Sequence, residues 1–106
     1  FRIGGKGMKQ AILLSQNDNV ATLLERVEPG ETIEIKGTGQ AEKIVSRDSI
    51  PSGHKVAVKD MIPGDAVIKY NNRIGIATIE IFAGQHVHVH NVKSARTESG
   101  KGGEQA

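Results

Sequence analysis

Ile62-Pro63-Gly64-Asp65-Ala66-Val67-Ile68-Lys69-Tyr70-Asn71-Asn72-Arg73-Ile74-Gly75-Ile76-Ala77 is the stretch that decides the fold class of this chain. Proline fixes its own φ, and the glycine after it supplies the positive φ of a tight turn, so Pro63-Gly64 opens the segment with a bend. Two short apolar runs follow, Ala66 to Tyr70 and Arg73 to Ala77, flanking Asn71-Asn72. Asparagine tolerates left-handed backbone, and the pair reads as a two-residue hairpin turn between antiparallel strands.

The same phrasing recurs on both sides. Glu28-Pro29-Gly30-Glu31, Ile50-Pro51-Ser52-Gly53-His54 and Phe82-Ala83-Gly84-Gln85 each set a glycine just ahead of an apolar strand. Runs of period two follow at Thr32 to Lys36, Lys55 to Lys59 and His86 to Val92. The four glycines lie 23, 11 and 20 residues apart, which is no regular solenoid and predicts a compact, irregularly wound sheet. Toward the N-terminus, Ala11-Ile12-Leu13-Leu14 reads as a buried strand. Asp18 is placed to cap a helix, and Val20, Leu23, Leu24 and Val27 fit an amphipathic i, i+3, i+4, i+7 stripe that ends by Pro29-Gly30. The prediction is therefore an all-β domain with one short helix near the N-terminus.

At 106 residues the chain has room for one small domain with one modest core. Without cysteine it has no disulfide framework and no thiolate ligand, so a metal would be held by histidine, carboxylate or ligand oxygen. No apolar run approaches membrane-spanning length, and a cytoplasmic location is expected. Met8 reads as the natural start, with residues 1–7 a leader and 97–106 a disordered tail around a domain at 8–96. Setting aside Arg2 and Lys6 lowers Lys+Arg from 14 to 12 against 12 Asp+Glu, so the formal charge falls from +2 to zero. Scattered cations and three aromatic residues offer no platform for nucleic acid.

The chemistry is concentrated in His86-Val87-His88-Val89-His90-Asn91, which holds three of the four histidines at alternate positions; the fourth is His54. Imidazoles titrate near neutrality and bind metals when neutral. In an extended strand all three would share a face, with neighbours roughly 6.6 Å apart and the outer pair roughly 13 Å apart. His86 and His90 then share an ion only if the strand bends, whereas His88 with one neighbour makes a workable pair that His54 could complete.

In order along the chain, Ile50-Pro51-Ser52-Gly53-His54-Lys55, Gly64, Val67-Ile68-Lys69-Tyr70, Ile74-Gly75-Ile76-Ala77, Gly84 and Val87-His88-Val89-His90-Asn91-Val92 resemble the N-terminal module of the altronate and galactarate dehydratase family. That module is a SAF-type domain of β-clip fold. The likeness covers roughly residues 10 to 96, with Tyr70-Asn71 where the family usually has Tyr-Gly and His86 where it often has tryptophan. His86 is the least transferable of the three clustered histidines.

What the resemblance implies is a small subunit that pairs with a larger catalytic chain, in altronate dehydratase or in the related (2R)-sulfolactate sulfo-lyase. Both eliminate a leaving group from a hydroxylated acid. Such a β-elimination needs a base for the proton α to the carboxylate, a positive centre for the dianionic intermediate and an acid for the leaving group. The expected catalytic residues are His88, His90 and His54, with His88 and His90 as candidate ligands. A divalent metal, Fe2+ or similar, would be held mainly by the partner chain.

Lys55 could bind a substrate carboxylate or be an ordinary exposed strand lysine, and Asn91 could orient a substrate hydroxyl or cap a strand end. Lys69 and Tyr70 read as hairpin surface and Arg96 as a solvated tail residue. A non-catalytic sugar-acid-binding module is the reading from a different class, and a homo-oligomer is left open. An ice-binding face would be flat and weakly polar, which the histidine face is not.

Overall fold

The computed structural model describes residues 8–37 and 42–94. Their regular structure comprises nine strands: β1 (Met8–Ile12), β2 (Val20–Leu23), β3 (Thr32–Lys36), β4 (Glu42–Val45), β5 (Lys55–Ala57), β6 (Ala66–Lys69), β7 (Asn72–Ala77), β8 (His86–Val87) and β9 (Val92–Ser94). Six form one sheet in the order β4-β3-β1-β2-β5-β8, and three form a second in the order β6-β7-β9. Within the first sheet β1 and β3 run parallel; the other pairs are antiparallel. The predicted leader and tail, with Arg96, lie outside the described residues. No helix among the described residues is long and apolar enough to cross a membrane.

The all-β prediction holds, but the predicted short helix does not exist among the described residues: Val20–Leu23 is strand β2. The stripe that imitates a helix arises because β2 stands between two cores. Val20 packs into the cluster with Met61, Val67, Ile81 and Val87, while Ala21, Leu23 and Val27 pack into the cluster with Ile33, Ile35 and Ile50. Leu24, which a helical face would bury beside Leu23, is 53% exposed. Strand β5 is shared in the same way, sending Ala57 to the cluster of Val20 and Val56 to the cluster of Ala21 and Leu23. The first strand also begins earlier than predicted, at Met8, and leaves Leu14 exposed.

Two cores follow from an internal duplication that glycine spacing alone conceals, because the four turns match first with third and second with fourth. Val27, Gly30 and Glu31 correspond to Met61, Gly64 and Asp65, each 34 residues on; Ile50 and Gly53 correspond to Ile81 and Gly84, each 31 residues on. The bonds repeat with the positions. Val27 bridges Ile50 as Met61 bridges Ile81, and all four side chains are buried. Gly30 N–H donates to Ser46 as Gly64 N–H does to Ala77, and Gly53 N–H donates to Leu23 as Gly84 N–H does to Ala57.

The hairpin turn sits one residue before its predicted place. Lys69 pairs with Asn72, leaving Tyr70 and Asn71 as the loop, at φ 55° and 63°. Two successive residues of positive φ define the I′ geometry that suits the twist of the flanking strands. Asp18 stabilises this turn instead of capping a helix. Its carboxylate, 1% exposed, accepts the Asn71 N–H at 2.7 Å and the Tyr70 N–H at 2.9 Å. Asn19 ties the outer edge of β6 by accepting from Ile68 and donating to Ala66.

Candidate functional site

Each turn glycine is followed by a residue whose amide closes the turn. In three of the turns that residue also folds its side chain back onto the turn's first N–H: Glu31 accepts from Glu28, Asp65 from Ile62 and Gln85 from Phe82. His54 holds this position in the second turn, and the first residue there is Pro51, which has no N–H to offer. The imidazole is thereby released from turn duty. Its Nδ1 instead lies 2.9 Å from His86 Nε2, a contact in which one ring donates and the other accepts.

Strand pairing sets the rest of the cluster. Lys55 of β5 pairs with Val87 of β8 in antiparallel register, so His54 and His88 stand opposite each other just beyond the ladder. Their rings stack with centroids 4.5 Å apart, and His86 stacks on His88 at 5.4 Å. The predicted strand from His86 to Val92 is broken after Val87 by a turn in which Asn91 N–H donates to the His88 carbonyl. That bend brings the His90 ring to 5.2 Å from His86, where four extended residues would put them roughly 13 Å apart. All four imidazoles of the chain thus form one contiguous cluster.

Asn91 makes the bend. It is 4% exposed; its carbonyl oxygen accepts from His88 N–H at 3.0 Å, and its amide donates to the His86 carbonyl at 2.8 Å. Asp48 secures the other end by accepting the His86 N–H at 2.8 Å. Asn91 acts as a strand-end cap, since both ends of its carboxamide are engaged within the chain. Lys55 is partly buried and has no carboxylate within ion-pair distance among the described residues. It borders a groove of about 220 Å³ whose other walls are Val67, Ile74, Val87, His88, Val89, Val92 and Ser94.

Burial lowers the proton affinity of the His86 ring below the ordinary histidine value, and charge on His54, His90 or His88 would lower it further, against an opposing pull from Asp48. His88 is lowered by lost hydration within the ring stack and then by His54, Lys55 and His90. Burial, then Lys69, makes the Lys55 ammonium a stronger acid. Both lowered rings favour the neutral form, which carries a free lone pair.

The sign of the resulting pH dependence follows. Below the ordinary histidine value of 6.5 the unfolded chain takes up protons that folded His86 and His88 resist, so stability present above that pH is lost as pH falls through the lowered values. Thermal unfolding at a series of pH values from 8 to 5 is expected to show a falling midpoint below about 6.5, and His86→Gln should flatten that limb. A limb unchanged by His86→Gln would show that the cluster does not resist protonation.

His86, set aside by the family comparison, is the ring that contacts the other three. Nothing in the sequence marks Asp48, whose carboxylate holds the His86 N–H. Pro51 carries a readable signal, since it stands one position earlier in its turn than Pro29 and Pro63 do in theirs.

The family model described as the altronate/galactarate dehydratase SAF domain matches residues 9–95. The chain is 36% identical to the altronate dehydratase of Bacillus subtilis over 87 residues, which is 82% of this chain and 17% of that protein. It is 38% identical to (2R)-sulfolactate sulfo-lyase subunit alpha of Chromohalobacter salexigens over 76 residues, 70% of this chain and 81% of that one. The altronate dehydratase of Escherichia coli matches at 35% over 80% of this chain and 16% of its own length. The chain thus spans about a sixth of the dehydratases it matches and most of the sulfo-lyase subunit. Its relatives are lyases, in which the module is either one part of a long chain or a separate subunit. By the extent of these matches, this chain belongs to the altronate/galactarate dehydratase SAF-domain family.

Proposed function

We propose that this chain is the small component of a lyase that eliminates water from a sugar acid together with a larger catalytic chain, and that the imidazole cluster with Lys55 is its contribution to a composite site. The observation that carries the reading is the meeting of four imidazoles from two segments beside a partly buried cation that has no carboxylate partner among the described residues. Lys55 and His88 border one groove, which suits a substrate whose carboxylate lies against the ammonium. His88 or His90, both exposed, then receives the proton α to that carboxylate. His54 and His86, joined through one hydrogen, stabilise the ring that takes it up. The C–O bond breaks at the adjacent carbon, the hydroxyl leaves as water with a proton from the site, and the enol product rearranges to a keto acid.

A second reading has its own support. The match covers 81% of the Chromohalobacter sulfo-lyase subunit, which supports a component of a complex that expels sulfite. Reconstitution separates them. The isolated chain is expected to be inactive, and adding a larger dehydratase-type chain should release keto acid from altronate. Sulfite release from sulfolactate alone would favour the second reading. Neither product, with saturable sugar-acid binding by the isolated chain, would replace both with a binding module.

A further inference from the structure

His54, His86 and His88 each offer one ring nitrogen, and the three atoms lie within 4.8 Å of one another. The ligating atoms come from segments more than thirty residues apart, joined by the β5–β8 ladder. Their backbones are held from outside the cluster. Asp48 and Asn91 fix His86, Asn91 fixes His88, and Pro51 leaves His54 without a competing acceptor role. A trio that merely lined a wet surface would require none of these supports.

We propose that His54, His86 and His88 form a binding site for a borderline transition-metal dication of the zinc or nickel class, held by this chain alone. The inference stands on the imidazole geometry and not on the elimination reading. Three nitrogen donors with no carboxylate among them select against magnesium and calcium, which take oxygen ligands. Zinc–nitrogen bonds of about 2.0–2.1 Å place two tetrahedral ligands about 3.3 Å apart. His54 Nδ1 and His86 Nε2, at 2.9 Å, already stand near that separation, so an ion can replace the proton between them. The His88 ring is exposed and can close the remaining distance without displacing a packed side chain.

Three protein ligands leave a tetrahedral ion one position for water or a substrate oxygen, the pattern of catalytic rather than structural sites. When bound, the ion would supply positive charge to an oxygen anion. The charged groups around the trio act in both directions. Lys55 opposes a dication and favours an anionic fourth ligand, whereas Asp48 adds negative charge beside His86. His90 lies outside the trio, so with an ion bound it is His90, and not His88, that is left to accept a substrate proton.

The test is calorimetric titration of the untagged full chain with zinc chloride and then nickel chloride, with imidazole NMR signals followed in parallel. One ion per chain is expected. His54→Ala, His86→Ala and His88→Ala should each weaken binding at least about tenfold, with His90→Ala within about threefold of the parent. His88→Ala lies in an exposed turn and keeps the test open if His86→Ala fails to fold. Absence of saturable binding, or equal losses from His90→Ala and His88→Ala, would overturn the site. No partner chain or substrate is needed, so this result and the reconstitution result can fail separately.

Discussion

Asp18→Ala is expected to destabilise the domain by about 3 kcal/mol, because it removes two charge-assisted hydrogen bonds at once and leaves their donors unpaired. Asp18 is 1% exposed and accepts both turn amides, Tyr70 N–H and Asn71 N–H. Those residues sit at φ 55° and 63°, a region that costs an L-residue about 1–2 kcal/mol. The carboxylate offsets that cost in the folded state and links the β1–β2 connection to the β6–β7 hairpin. Asp18→Asn has the size of the original but presents amide hydrogens to one donor, so it should lose an intermediate amount. Urea unfolding midpoints measure the series, and a loss under about 1 kcal/mol for Asp18→Ala would contradict this role for the carboxylate.

Gly84→Ala should cost at least as much, about 3 kcal/mol or more, through two additive faults. Its φ of 97° is strained for any residue with a Cβ, and that Cβ would run into the Val45 carbonyl oxygen. Backbone movement gives no relief. The Gly84 N–H donates to Ala57 and its carbonyl accepts from Arg47, both at 2.8 Å, which pins the peptide on two sides. Gly64 supplies the control: φ is also 97°, yet no atom lies within 4 Å of its added Cβ. Gly64→Ala should therefore cost only the conformational part, about 1–2 kcal/mol. Equal losses at the two positions would show that the close approach to Val45 is unimportant. Because Gly84 lies two residues before His86, its replacement should also disturb the imidazole cluster.

The β class was legible because turn chemistry and period two are local. Pro63-Gly64 and the Ile33/Ile35 alternation place a bend and a half-buried strand without knowledge of the rest of the chain. The helix error has a different origin. Val20, Leu23 and Val27 are apolar because two cores flank one strand, and a one-dimensional pattern cannot distinguish that from the face of a helix. Asp18 shows the same limit: a helix cap would give its carboxylate amides a few residues on, but the amides it accepts lie 52 and 53 residues away.

The candidate site was legible as a composition of residues and not as a shape. Alternating histidines drew attention to 86–90, yet strand spacing set His86 and His90 too far apart, because the Asn91 turn depends on bonds to backbone atoms of His86 and His88. Resemblance to relatives ranked His86 last, since its usual counterpart is another residue. The structure instead puts it against His54, through a pairing of β5 with β8 that sequence spacing does not encode.

As proposed, the imidazole cluster serves elimination in a complex with a larger chain. The most direct measurement is the rate of keto acid formation from altronate by the reconstituted complex carrying the double change His88→Ala, His90→Ala. Both residues are exposed, and Val89 between them is 81% exposed, so the variant should fold and assemble. Loss of the proton-transferring groups predicts a fall of roughly 10²-fold or more in kcat. Undiminished turnover by that variant complex would exclude His88 and His90 from the proton transfer.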